Sequence, residues 1–66
     1  MHLVVNGFSQ SVADGTSLPD LLVHEGIPPN HAIVEVNRTF VPPAALNTFV
    51  LRDGDVVELI LPAFGG

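Results

Sequence analysis

Seven acidic side chains against two basic ones in 66 residues give a net charge of −5, and cysteine is absent. Arg38 and Arg52 are the fixed cations and there is no lysine, which excludes the clustered basic side chains that nucleic-acid phosphates or an anionic membrane surface require. Without thiols there is no disulfide framework, no thiolate metal site and no cysteine nucleophile, and a chain this short buries only about 60% of the surface its unfolded form exposes.

The first segment, HLVV, is apolar and β-branched, and the Asn6-Gly7 pair that follows is a strong hairpin signal. FSQSV then alternates apolar and polar as a half-buried strand does. Residues 2–12 therefore read as a hairpin, with Asn6-Gly7 at the turn centre or one residue from it. ADGT breaks the chain. SLPD matches a capping box, with Ser17 as N-cap and Asp20 at the third helical position, and Pro19 falls in the first turn, where its missing N–H is no loss. Leu18, Leu21 and Leu22 share one face of a helix of about two and a half turns. Gly26 is a candidate for its C-terminal cap, and IPPN ends it. So short a helix is not stable alone in water and must lie across a sheet.

HAIVEVN is the clearest strand, with Val34 and Val36 on one face and Ile33, Glu35 and Asn37 on the other. RTFV reads as a short strand after a turn. PPAALNTFVL opens on two prolines and has no clean period, so it reads as a loop with one helical turn. RDGD is a second turn signal. DVVELIL is a final strand in which Val57, Leu59 and Leu61 oppose Val56, Glu58 and Ile60. Strands distributed around one main helix predict an α+β domain spanning residues 1–66, with a mixed sheet of four to five strands and residues 62–66 as a flexible tail.

The core expected from this alternation is Leu3, Val5, Leu18, Leu21, Leu22, Val34, Val36, Val41, Leu51, Val57 and Leu59. Val4, Ile33, Val56 and Ile60 then fall on the sheet face away from the helix. Grouped on adjacent strands, they would make a partner-docking face; scattered, they would be ordinary surface aliphatics. No apolar stretch approaches the ~20 residues of a membrane span. The start MHLVVNGFSQS lacks the charged lead and apolar run of a secretory signal, so a cytoplasmic location is expected.

Little in the body of the chain suggests chemistry. His2, His24 and His31 lack metal-ligand spacing, and no metal site is expected. DGDVVE does not supply the run of oxygen ligands a calcium loop needs, and Asp53-Gly54 is better explained as turn chemistry. No catalytic triad order, phosphate loop or nicotinamide fingerprint is present, so the chain is not expected to be an enzyme. The terminal LPAFGG differs. A C-terminal carboxylate is ionised at neutral pH and becomes an acyl donor only after its oxygen is converted to a leaving group, as adenylation by ATP does. A partner must supply the cations for that step. Five extended residues reach about 16 Å, and glycine passes where a Cβ would clash. Gly65-Gly66 at the end of a final strand therefore suits a carboxylate worked on inside another protein. The absence of lysine and cysteine also limits self-acylation of an activated tail to the N-terminal amine.

VNG near the start, SLPDLL at the helix, VEVN, VP, RDGDVVEL and the terminal GG, in this order and spacing, resemble the thiamine-biosynthesis sulfur carrier (ThiS) family over nearly the whole chain. The resemblance implies a ubiquitin-like β-grasp fold. It implies that an adenylating, ubiquitin-activating-like enzyme forms an acyl-adenylate at Gly66 with ATP and magnesium, that sulfur from a donor such as a cysteine desulfurase replaces AMP to give a thiocarboxylate, and that thiazole synthase takes the sulfur. Pro62, Ala63, Phe64 and Gly65 would thread the partner's channel, and the open sheet face would dock the partners. No cofactor is implied to stay bound to the chain itself. Two positions depart from the family pattern: Arg38 stands where glycine is frequent, and Pro43 where a basic residue is. The small subunit of molybdopterin synthase shares the same tail chemistry but is usually longer, and another pathway's sulfur carrier is a further alternative of the same kind. A ubiquitin-like protein modifier, whose tail ends in an isopeptide bond, is the alternative of a different class, and a bare interaction domain is a third.

Overall fold

The computed structural model describes residues 1–61; Pro62 to Gly66, the expected tail, lie outside the described residues. The elements run β1 (His2–Val5), β2 (Phe8–Ser11), α1 (Leu18–His24), a 3-10 turn (Pro29–His31), β3 (Ile33–Val36), β4 (Thr39–Val41), α2 (Pro43–Leu46) and β5 (Val56–Ile60). They form one five-stranded mixed sheet in the order β2-β1-β5-β3-β4. β1 and β5 run parallel at the centre and every other pair is antiparallel.

Local chemistry accounts for most of the boundaries. Val5 pairs with Phe8, so Asn6 and Gly7 are the central turn residues, both at positive φ (50° and 84°) as a type I′ turn demands. Ser17 Oγ accepts from the Asp20 N–H at 3.1 Å and Asp20 Oδ2 from the Ser17 N–H at 3.4 Å, which completes the capping box. The helix stops after two turns because Gly26 turns left-handed at φ 73°. The N–H of Ile27 then bonds the Leu22 carbonyl (2.9 Å) and that of Gly26 the Val23 carbonyl (3.0 Å). This double bond to the last free carbonyls is a Schellman motif, and Ile27 packs against the core beside it.

The eleven side chains expected in the core are all buried, and Leu46 joins them. Leu46 was not anticipated because α2 is a single four-residue turn that carries no readable period. Leu18, Leu21 and Leu22 lie between α1 and the sheet and are at most 1% exposed. Leu61 corrects the simple alternation. It follows Val57 and Leu59 by steps of two, but β5 ends at Ile60 and Leu61 is 57% exposed.

β5 is held on both flanks by asparagines that stand in for missing strand. On the β1 side, β1 ends at Val5. Asn6 continues the ladder with its own N–H to the Val57 carbonyl (2.9 Å), and its Oδ1 accepts from the Leu59 N–H at 2.8 Å. On the β3 side, Asn37 donates its N–H to the Val56 carbonyl (2.7 Å) and accepts the Val56 N–H on Oδ1 (2.9 Å). Its Nδ2 donates to Asp55 Oδ1, while Asp55 Oδ2 accepts the Arg52 N–H. Asn37 and Arg38 form the β3–β4 turn at φ 52° and 67°. Arginine is strained there where glycine would not be.

The register also decides the face opposite α1. Ile33 pairs with Ile60, Glu35 with Glu58 and, on the other side of β5, Val4 with Val56. Glu35 in turn faces Phe40 of β4. Two carboxylates therefore sit directly across from one another on neighbouring strands, an arrangement that destabilises a sheet.

Stability can be tested at the two turns and at the glutamate pair. Asn6→Gly keeps the turn but strands the Leu59 N–H, and is expected to cost about 1–3 kcal/mol in urea unfolding. Asn6→Ala also forces a Cβ into the left-handed region and should cost about 1–2 kcal/mol more. Arg38→Gly relieves that strain at the other turn and is expected to raise the unfolding midpoint. Either Glu35→Gln or Glu58→Gln should stabilise by about 0.2–1 kcal/mol at low ionic strength. The second replacement should add little to the first, and the gain should shrink in concentrated salt.

Candidate functional site

Two features of the described residues bear on function: the end of β5, which delivers the chain to position 62, and the open face of the sheet around it. Both are built on the same strand. β5 has neighbours on either side, and its last pairing is Ile60 with Ile33. The Asn6 clamp on Leu59 lies one residue before that pairing. Leu61 is exposed. The residues expected to carry the chemistry, Pro62, Ala63, Phe64, Gly65 and Gly66, lie outside the described residues.

The structure brings Val4, Ile33, Val56 and Ile60 to one face. Val4 is half-buried, and Ile33, Val56 and Ile60 are exposed at 41%, 41% and 44%. They form two apolar pairs, Val4 with Val56 and Ile33 with Ile60, with the Glu35–Glu58 pair between them. Phe40, 54% exposed on β4, flanks Glu35. Glu35 and Phe40 were not singled out from the sequence, and Glu58 entered only as the last residue of DGDVVE, weighed with Asp53 and Asp55 as a carboxylate cluster. Alternation puts both glutamates on the outer side of their strands, but only the β3–β5 register sets them opposite one another.

The other titratable groups do not gather. Asp53 Oδ1 accepts the His2 N–H at 2.7 Å and Asp55 is engaged at the Arg52 and Asn37 contacts, so both serve turns, while Glu58 points to the open face. His2 opens β1, His24 ends α1 and His31 ends the 3-10 turn. Among the described residues no three histidines, aspartates or glutamates lie together as metal ligands. A concavity of about 480 Å³ beside β4 is lined by Phe40, Val41, Phe49, Arg52 and Asp55 among others, with no histidine and no pair of carboxylates for acid–base work. No helix among the described residues is long and apolar enough to cross a membrane.

Comparison with known proteins agrees with this geometry. The model of the ThiS family matches residues 3–66. The crystal structure of the thiamine biosynthesis protein ThiS from Geobacter metallireducens superposes with a TM-score of 0.84 at 29% identity, covering 100% of both chains. The solution structure of a thiamine biosynthesis protein from the same organism gives 0.83 at 29% identity, covering 100% of this chain and 88% of that one. Among curated proteins none matches significantly. A five-stranded mixed sheet crossed by one capped helix, with a parallel pair at its centre, is the β-grasp arrangement, and the chain belongs to the ThiS family of small sulfur carriers.

Proposed function

We infer that the chain delivers sulfur for thiazole formation in thiamine biosynthesis, and that its reacting atom is the carbonyl carbon of Gly66. Family membership over residues 3–66 carries this reading, because the match runs through the terminal Gly65-Gly66. In the first step a Gly66 carboxylate oxygen attacks the α-phosphorus of ATP, pyrophosphate leaves, and an acyl-adenylate forms. In the second step a sulfur nucleophile attacks the carbonyl carbon and AMP leaves. When that nucleophile is the outer sulfur of a protein persulfide, the adduct is an acyl disulfide. A thiol of the partner proteins attacks its outer sulfur, the S–S bond breaks, a new disulfide forms there and the thiocarboxylate leaves, to be consumed by thiazole synthase.

The body of the chain contributes presentation. It carries no acid–base set of its own, and the adenylating enzyme supplies ATP, magnesium and the cations that let two anions meet. The clamped end of β5 gives the tail a fixed starting point. Pro62 to Gly65 then span the distance to the partner's catalytic centre, and Gly65 is the residue whose missing Cβ lets the tail through. The open face around Val4, Ile33, Val56 and Ile60 is the docking surface that holds the body while the tail reacts. The chain acts as a co-substrate of its partners, in the cytoplasm.

The test is incubation with ATP, magnesium, the adenylating enzyme and a cysteine desulfurase with cysteine, followed by mass measurement. The expected product is the chain with one oxygen replaced by sulfur. Covalent attachment to lysines of other proteins would instead establish a protein modifier. Removing Gly66 should abolish the mass change while leaving the thermal transition intact. Gly65→Val should slow adenylation by roughly a hundredfold, as misplacement of a reacting group does. A full-rate Gly65→Val variant would overturn the threading role.

A further inference from the structure

The Glu35–Glu58 pair is unexplained by folding. The two residues occupy opposed positions on β3 and β5, where facing Cβ atoms lie roughly 5 Å apart. Neither side chain has a hydrogen-bond or ion-pair partner among the described residues. In particular, neither pairs with Arg38 or Arg52, the only fixed cations of the chain. Two like charges are thus left side by side between the apolar pairs of a face that carries Ser9, Ser11 and His2 only towards its β2 edge, with no ion-pair partner for either among the described residues.

We propose that Glu35 and Glu58 together receive one arginine side chain of the protein that docks on the open sheet face, with Val4, Ile33, Phe40, Val56 and Ile60 as its apolar surround. This rests on the reading of that face as the docking surface for the adenylating enzyme, and it names the chemistry by which the enzyme recognises it.

Charge complementarity selects the occupant. The pair repels a second copy of this chain, which has a net charge of −5 and would bring two more carboxylates to the same place. A divalent ion would find two carboxylates and no third ligand among the described residues, too few for an oxygen-ligated cation. A guanidinium fits better than an ammonium. Its planar fork presents five donors, enough to bridge carboxylates on adjacent strands, and it is weakly hydrated, so the apolar surround costs it less on desolvation. Burying the surround also removes water from the ion pair, which strengthens it. In the free protein the same pair discourages association through the exposed apolar face.

The test is a binding titration of the adenylating enzyme without ATP, so that docking is read apart from chemistry. The double variant Glu35→Gln/Glu58→Gln is expected to bind at least roughly tenfold more weakly and to lose much of the salt dependence of the wild type. Its fold is not at risk, since the substitutions remove a repulsion, and circular dichroism checks this. Ile60→Ser should weaken binding while keeping the salt dependence. Sedimentation should show the wild type as a monomer. A double variant that binds as tightly as the wild type, with the same salt response, overturns the proposal. So does a wild-type dimer that Ile60→Ser dissociates, because a second copy then covers the face. Absence of any binding to the adenylating enzyme overturns both this proposal and the docking role. Binding that the glutamine variants weaken, without sulfur incorporation by the wild type in the assay above, would leave this surface standing and remove the sulfur-transfer reading.

Discussion

The structure depends on the position of β5. It is the last strand in sequence and the middle strand in space, parallel to β1 on one side and antiparallel to β3 on the other. Val57 and Leu59 face the helix and are buried, while Val56, Glu58 and Ile60 face outward. Removing β5 would separate the β1–β2 hairpin from the β3–β4 hairpin and leave α1 without a continuous surface to cover. The strand that completes the core is thus also the last strand of the described chain.

That double role explains the investment in asparagines. A central strand needs partners for its backbone on both sides, and β1 and β3 are too short to provide all of them. Asn6 and Asn37 supply the remainder from left-handed turn positions that asparagine tolerates better than most side chains. One residue type therefore makes the turn and extends the ladder. The consequence is mechanical: Leu59 and Ile60, the last residues of β5, are tied by hydrogen bonding to both hairpins.

The outward face of β5 and its neighbours follows a different logic. The helix face is filled with buried aliphatic side chains, and among the described residues no polar side chain is buried there. The open face combines aliphatic pairs with opposed glutamates and an exposed phenylalanine. The opposed carboxylates make such a face a poor match for a second copy of this acidic chain. Opposed like charges set between apolar pairs disfavour contact with any acidic surface, and so favour specificity over indiscriminate association.

Local features of this fold were legible in the sequence because short-range chemistry determines them. Asn6-Gly7 is a type I′ turn, Ser17-Leu18-Pro19-Asp20 a capping box, and Gly26 a left-handed helix stop, each by the conformational preference of those residues alone. Period-two alternation in VEV and VVELI, and leucines at helical spacing, named the buried side chains for the same reason. Leu46 and Leu61 escaped, the first because one turn of helix has no period, the second because alternation does not announce where a strand ends. The tail and its Gly65-Gly66 were likewise visible as a sequence signal. Strand neighbours were not: pairing joins residues far apart in the chain, and its register depends on the whole core closing at once. Only the tertiary structure put β5 between β1 and β3, assigned Asn6 and Asn37 their carbonyl and amide partners, and set Glu35 across from Glu58, because those relations exist between strands and not within any one of them.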